Sequence, residues 1–288
     1  MPRAVDVCYR YDGSLDGLLC CIFDSYARDE IPALIAPEDG AQVTLYPIHR
    51  VQTVRERARR VSIAIHQKIS PDALLLVRLA HLTCLPNREN HVLTFVRLGF
   101  QEGRRVTGLM ADPRVEVLLK ATRHLKNEQH LYKGFIRFSE IDDILLAEIE
   151  PKNFVLPLIA THFAGRFSGE SFMIYDKTHK AALLYSGGQK EIVKLESFTI
   201  PPASPEERQY RKLWKRFYDT IAIESRENPR CRMSLMPKRY WGVMTEFLEA
   251  DSTPLPGVAL PAPRTRQLGS GKADAFTAPE IAAPHHQS

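Results

Sequence analysis

The chain lacks the short motifs that mark most nucleotide-dependent and hydrolytic enzymes. Its 288 residues contain no Walker A loop, no G-x-G-x-x-G, no G-x-S-x-G and no H-E-x-x-H. The five cysteines form no C-x-x-C pair and have no histidine at zinc-ligand spacing, which excludes a zinc ribbon and a ferredoxin-type cluster. We therefore expect no metal ion and no cofactor, and no orthodox enzyme of these classes is indicated.

Long apolar segments are also missing. No stretch approaches the roughly 20 apolar residues that a membrane-spanning helix needs. Residues 1–6 lack the apolar run of a signal peptide, and the cysteine spacing favours reduced thiols. These features predict a cytoplasmic protein that does not contact a membrane.

The composition is that of a folded protein with a modest excess of positive charge. At 44% hydrophobic and 25% charged residues, the chain can bury one large core or two smaller ones. A net charge of +5 and a pI of 8.9 fit contact with nucleic acid or phosphate. They fit equally well a basic protein whose charge serves only its solubility.

The order of helical and strand patterns predicts an α+β fold rather than a parallel doubly wound sheet. A helix-rich part (1–134) is followed by a sheet-rich part (135–200) and a basic helical part (205–249). We expect these to form a single domain, 1–249, in which a mainly antiparallel sheet packs with several helices. Prolines, alanines and small polar residues dominate 250–288, which predicts a disordered tail.

Local signals indicate where several elements begin. Ser70-Pro71 and Asp112-Pro113 each combine a capping side chain with proline at the first helical position. Val43–Pro47 is interpreted as a second short strand after a first strand near the amino end. Phe135–Phe138 and Ile144–Ile149 flank a turn and predict a β-hairpin.

Positive charge is concentrated near the carboxyl end. From Arg208 to Arg239 there are ten lysines and arginines against three acids, a net +7 that exceeds the charge of the whole chain. Basic residues recur at helical spacing opposite an aromatic stripe, which predicts a helix with a cationic face for a polyanion. The alternative is a solvated face without a ligand. The candidate nucleic-acid-binding residues are Arg208, Arg211, Lys212, Lys215, Arg216, Lys238, Arg239, Tyr240 and Trp241, with the last two as base-stacking rings.

A histidine and an arginine in a predicted helix, Val155–Phe167, form a second candidate site. His162 falls on the apolar side and Arg166 lies one turn further on, so both are expected to point inward. An inward pair requires an anionic partner. The alternative is a core histidine beside a salt-bridged arginine. The candidate partners are Asp176, Glu148, Glu150 and a bound phosphate, and the candidate catalytic residues are His162, Arg166 and Asp176.

Five arginines also fall within eleven positions with one acid among them. On a helix they point in several directions and form what we call the arginine collar. It is compatible with a second surface for a nucleic-acid backbone, and equally with ordinary surface charge. Its members are Arg50, Arg55, Arg57, Arg59 and Arg60.

Short blocks spread in order from Asp6 to Phe247 allow comparison with a known family. They are Tyr11-Asp12-Gly13-Ser14, Phe135-x-Arg137-Phe138, Ile149-Glu150-Pro151, Val155-Leu156-Pro157-Leu158, His162-Phe163, Arg166-Phe167, Ile174-Tyr175-Asp176, Asn228-Pro229 and Met236 to Trp241. In these blocks the chain resembles a bacterial family described as DNA-metabolism or DNA-repair proteins of unknown function.

The resemblance implies a DNA-repair setting but no particular reaction. Members of that family are typically encoded beside a radical S-adenosylmethionine protein, and in some the domain is fused to a uracil-DNA glycosylase-like domain. Here Lys177–Lys180 replaces an arginine-bearing turn, which puts an arginine role there in doubt. A glycosylase-like segment is absent, so base excision is not assigned to this chain, and no catalytic residue carries over.

Three functional hypotheses follow. The first is an accessory module that binds the DNA backbone and presents it to the radical S-adenosylmethionine protein. The second is an enzyme that acts on a DNA base or backbone from a pocket around His162, Arg166 and Asp176. The third is a protein–protein adaptor without DNA contact, which would use the arginine collar and the tail.

Overall fold

Two β-sheets and an intervening set of helices make up the described part of the chain. The fold comes from a computed structural model that describes residues 3–39, 44–141, 143–198, 213 and 236–244. The predicted tail, 250–288, and most of the predicted basic helix lie outside these residues. The single-domain organisation therefore stays a prediction.

The amino-terminal sheet is parallel and has three strands in the order β2-β1-β3. Its first crossover helix begins where the Ser14 hydroxyl accepts a hydrogen bond from the Gly17 N–H, which caps the helix. The predicted strand at 43–47 is wrong over its described residues, which form a loop with Leu45 fully exposed. The elements are β1 (Arg3–Tyr11), α1 (Leu15–Ala27), β2 (Glu30–Pro37) and β3 (Ile48–Arg50).

The middle of the chain is helical, as its apolar periodicity predicts. Ser70 and Asp112 cap their helices through hydrogen bonds from the N–H groups of Ala73 and Arg114, and a proline follows each cap. Both predicted helix starts are therefore confirmed. The helices are α2 (Arg55–Ala64), which continues as a π-helical turn (Ile65–Ile69), α3 (Pro71–His81), α4 (Arg88–Glu102), which continues as a 3-10 turn (Gly103–Gly108), and α5 (Pro113–Phe135).

The second sheet has five strands in the order β4-β5-β6-β7-β8. It is mixed rather than purely antiparallel, because α6 connects β5 to β6 and lets these two strands run parallel. The predicted strand at Phe135–Phe138 is wrong, since α5 extends to Phe135 and the hairpin partner starts at Ser139. The elements are β4 (Ser139–Ile141), β5 (Ile144–Ile149), α6 (Leu156–Arg166), β6 (Ser171–Asp176), β7 (Ala181–Ser186) and β8 (Gln189–Lys194).

Helix α5 is shared by the two main apolar cores, which positions the candidate site. Val115 and Leu118 pack in the core formed with the parallel sheet, while Leu125 and Tyr132 pack in the core under the mixed sheet. One face of α5 is therefore buried along its length and the opposite face is exposed. The observed architecture confirms the α+β class. Among the helices that the structure describes, none is both long and apolar enough to cross a bilayer.

Candidate nucleic-acid interface

The predicted carboxyl-terminal cationic face falls mostly outside the residues that the structure describes. Arg208, Arg211, Lys212, Lys215 and Arg216 lie outside the described residues. Their role as phosphate contacts therefore stays a prediction.

The end of that predicted surface is described, as a 3-10 turn over Lys238–Val243. Tyr240 is fully buried and packs edge-on against Tyr132, with ring centroids 5.0 Å apart. A buried ring offers no face to a base, so the structure corrects the expectation that Tyr240 stacks on nucleic acid. Trp241 is half-buried and its indole N–H donates to the Met236 carbonyl, while the Lys238 ammonium lies 5.8 Å from the Trp241 ring.

Arg239 is drawn toward the protein rather than outward. Its Nη2 lies 3.2 Å from Oε1 of Glu128, a carboxylate that is 2% exposed, and it also donates to the Tyr240 hydroxyl. The positive charge of Arg239 is thus offset by a buried acid. Among the described residues of the predicted set, Lys238 is exposed and Trp241 half-buried, whereas Arg239 is exposed but paired with a buried acid.

A different row of basic side chains lies along the exposed face of α5. Arg123, Lys126, His130 and Lys133 follow one another at intervals of three, four and three residues, which brings them onto one side of the helix. The first three are exposed and Lys133 is half-buried. At a rise of about 1.5 Å per residue the row is roughly 15 Å long.

The charges of this row are not cancelled by acids. In the described part of the chain, Arg123, Lys126 and Lys133 make no salt bridge. The pair between Lys120 and Glu116, 2.7 Å apart, lies toward the amino end of the same helix, before the row begins. The field of the row is therefore directed to solvent, where it can attract an anion.

Helix α6 extends the row with two more basic side chains. Gln129 of α5 donates to the Leu158 carbonyl of α6 at 3.1 Å, which fixes the two helices side by side. One turn further on each helix, the positive charge of Lys133 acts on His162, and Arg166 lies a turn beyond. We call these six residues the α5–α6 cationic surface: Arg123, Lys126, His130, Lys133, His162 and Arg166.

Among the described residues, no acid acts on His162 to stabilise its protonated form. Partial burial lowers its pKa, and the charges of Lys133 and Arg166 lower it further. Within the described residues its Nε2 is closed off from solvent and has no hydrogen-bond partner. An unpaired buried nitrogen costs stability, and such costs concentrate at sites that serve a ligand.

The predicted inward pair of His162 and Arg166 is corrected by these contacts. Arg166 is exposed, with its guanidinium 5.7 Å from the Phe167 ring, because α6 presents Ile159, Ala160 and Phe163 to the core instead. His162 is half-buried. The two basic groups share a surface, but the third member of the predicted pocket contacts other residues.

That third residue, Asp176, is paired with a histidine that the sequence interpretation did not select. The Asp176 carboxylate is 0% exposed, and its Oδ2 lies 2.7 Å from Nδ1 of His179 while Oδ1 accepts the His179 backbone N–H. The bond to Oδ2 places a proton on Nδ1 and leaves Nε2 as the basic nitrogen. The imidazole is 28% exposed and packs against Phe154, so solvent reaches it. This arrangement can accept a proton from a bound molecule.

The arginine collar is partly neutralised. Arg50 lies 3.2 Å from Glu38, and Arg57 lies 3.3 Å from Asp24. Arg57 and Arg60 also rest over the Phe23 ring. The collar is consequently a weaker anion surface than the α5–α6 cationic surface, and its predicted role stays a prediction.

A second imidazole, that of His81, has a buried Nδ1 with no hydrogen-bond partner among the described residues, and it gives a testable pH dependence. Burial lowers the pKa of His81 to about 4 from its ordinary 6.5, and the charge of Arg88 adds to the effect. Between these values the unfolded chain binds a proton that the folded chain excludes, so acidification favours unfolding. From pH 7 to pH 5 we expect a loss of about 2 kcal/mol from this group alone. Urea unfolding at both pH values should show a smaller loss for His81→Gln, and an equal loss in both proteins would contradict the assignment.

A sequence signal for the α5 row was available. Basic residues at 123, 126, 130 and 133 form a stripe with no acid at the same spacing inside it. The contribution of α6 could not be found in this way, because it depends on packing between two helices.

Comparison with known protein families gives a match across the centre and carboxyl half of the chain. A family model described as a domain of unknown function (DUF4130) matches residues 86–246, more than half of the 288-residue chain. No curated protein matches the chain. The matched range contains α5, α6 and the mixed sheet, and therefore the whole α5–α6 cationic surface.

Proposed function

We propose that this chain, which belongs to the family of the domain of unknown function DUF4130, is a DNA-binding accessory protein of DNA metabolism. The observation that carries the proposal is the α5–α6 cationic surface, on which six basic side chains lie on adjacent helices and none forms an ion pair with an acid among the described residues. The surface contacts the phosphate backbone of DNA.

The spacing of these groups suits a backbone better than a base edge. Arginine and lysine side chains one helical turn apart give a series of separate cations, as neighbouring phosphates require. On that face the cations Arg123, Lys126 and Lys133 outnumber the two side chains that could identify a base, the Asn127 amide and the His130 imidazole. Binding is accordingly tolerant of sequence and sensitive to salt. Arg208, Arg211, Lys212, Lys215 and Arg216, which lie outside the described residues, are a separate set of proposed phosphate contacts.

The setting and the partner rest on the resemblance described above. It supports DNA rather than another polyanion, and a radical S-adenosylmethionine enzyme as the protein that receives the bound DNA. The same resemblance supports no reaction for this chain.

The first test is binding of the purified full chain to DNA. Fluorescence anisotropy with two unrelated oligonucleotides, each single- and double-stranded, should give affinities within about threefold for the two sequences and a steep fall between 50 and 200 mM salt. Addition of the radical S-adenosylmethionine enzyme should then give a ternary complex. Co-purification with that enzyme but no DNA binding at 50 mM salt would instead support an adaptor.

Proton transfer at His179 is a second candidate function. The observation that favours it is the fully buried Asp176 carboxylate, which binds His179 through Nδ1 and orients its imidazole in the manner of a general base. In this hypothesis the enzyme acts on DNA through Asp176 and His179, with His162 and Arg166 binding phosphate.

The second candidate predicts turnover that depends on the imidazole. If damaged oligonucleotides are cleaved or modified by the protein, His179→Ala should reduce the rate by about 10²–10⁴-fold. His179→Gln and His124→Ala, an exposed histidine on α5, serve as controls for folding and for general loss of imidazole. Equal rates in His179→Ala and the unmodified protein would exclude this role.

A further inference from the structure

The α5–α6 cationic surface is not uniform along its length. Arg123, Lys126 and His130 are single groups spaced along one helix. At the other end, Lys133 of α5 and Arg166, one turn beyond His162 on α6, are close enough to His162 for their charges to act on it. Beside them, Lys190 of β8 donates to the Thr161 hydroxyl at 2.8 Å, which adds another cation next to this end. The density of positive charge is therefore highest where the two helices meet.

We propose that Lys133, His162 and Arg166 bind a terminal phosphate of a nucleic-acid strand, a phosphomonoester, while the row on α5 follows the adjoining backbone. This inference rests on the proposed function and assigns the strand end to one end of the surface.

The positive charge of this site favours a phosphomonoester over a phosphodiester as its ligand. A phosphomonoester carries about −1.5 to −2 at neutral pH and presents three acceptor oxygens. An internal phosphodiester carries a single negative charge. Two cations and an imidazole at one end of the surface match the monoester, because each can donate to a different oxygen.

The imidazole has a defined part in this site. Nε2 of His162 is closed off within the protein, so Nδ1 is the ring nitrogen left to donate to a ligand. With Nδ1 protonated, a neutral His162 donates one hydrogen bond without adding a third charge.

The test compares strand ends at matched charge. A 12-nucleotide single strand is prepared in three forms: with a 5′-phosphate, with a 3′-phosphate and with hydroxyl groups at both ends. A 14-nucleotide strand with hydroxyl ends is the control, because its two additional phosphodiesters carry about the same negative charge as one terminal phosphate. One of the phosphorylated strands should bind about tenfold more tightly than the longer control. Arg166→Ala, an exposed position, and His162→Ala should abolish that difference, whereas Arg123→Ala should weaken all four strands equally.

Each outcome decides a separate point. Equal affinities of phosphorylated and charge-matched strands would overturn the terminal-phosphate site and leave backbone binding intact. Failure of every strand to bind would overturn both proposals. Competition by a nucleoside monophosphate at micromolar concentration, with no preference among the strands, would overturn the strand-end assignment in favour of a free phosphorylated metabolite. Circular dichroism and thermal melts show whether each variant is folded.

Discussion

Replacement of Glu128 by alanine is expected to destabilise the fold by about 3–5 kcal/mol, because it removes the acceptor of a buried hydrogen-bond cluster. The carboxylate is 2% exposed. Oε1 accepts the Lys152 N–H at 3.0 Å, and Oε2 accepts the N–H and the side-chain amide of Asn153 at 2.9 and 2.6 Å. Arg239 completes the cluster. One side chain therefore joins α5, the loop before α6 and the carboxyl-terminal turn.

The loss would extend beyond the cluster itself. Asn153 also accepts the N–H of Cys84 at 2.9 Å, so the loop that Glu128 holds is connected to the segment after α3. Urea unfolding of Glu128→Ala measures the effect. Glu116→Ala is the matched control on the same helix, because its carboxylate is 45% exposed and pairs with the exposed Lys120. We expect a change below about 0.5 kcal/mol there. Similar values for the two variants would contradict the structural role of Glu128.

The second large effect concerns DNA affinity. A variant with four cations of the α5–α6 cationic surface replaced by alanine should bind DNA about 10³-fold more weakly at 0.1 M salt. The reason is that each phosphate contact contributes roughly one unit to the slope of log affinity against log salt concentration. Folding should be retained, because none of the four makes an ion pair among the described residues. The four are Arg123, Lys126, Lys133 and Arg166.

A matched variant separates position from total charge. Replacement of four exposed basic residues on α2 and its π-helical turn removes the same charge from another surface. It should reduce affinity by less than about tenfold through the general field. A greater loss of affinity in this variant than in the α5–α6 variant would show that DNA binds the α2 face, which would contradict the proposal. The residues are Arg55, Arg59, Arg60 and Lys68.

Elements with short-range signals were predictable from the sequence. The helix caps at Ser70 and Asp112 can be recognised from residues within three positions of each other in the sequence, and both helices start as predicted. Strand β2 was missed because Pro32 and Pro37 suggest a break. They are tolerated because β2 is an edge strand, whose outer backbone groups need no partner in the sheet.

The candidate site was only partly predictable, for a physical reason. His162 and Arg166 were selected because residues four apart share a helix face, and the structure does bring them together on one surface. The burial of Tyr240 depends on Tyr132, more than 100 residues earlier in the chain, and no periodicity encodes such a contact. The partner of Asp176 was missed although His179 is only three residues away, because the turn that joins them has no repeating pattern.

The most direct measurement of the central claim is the slope of log affinity against log salt for double-stranded DNA. The unmodified chain should give a steep negative slope, and the four-alanine variant of the α5–α6 cationic surface should flatten it by about 3–4 units, near 0.9 per lost phosphate contact. The α2 variant should keep the slope of the unmodified chain. An unchanged slope in the α5–α6 variant would contradict the claim that this surface contacts the DNA backbone.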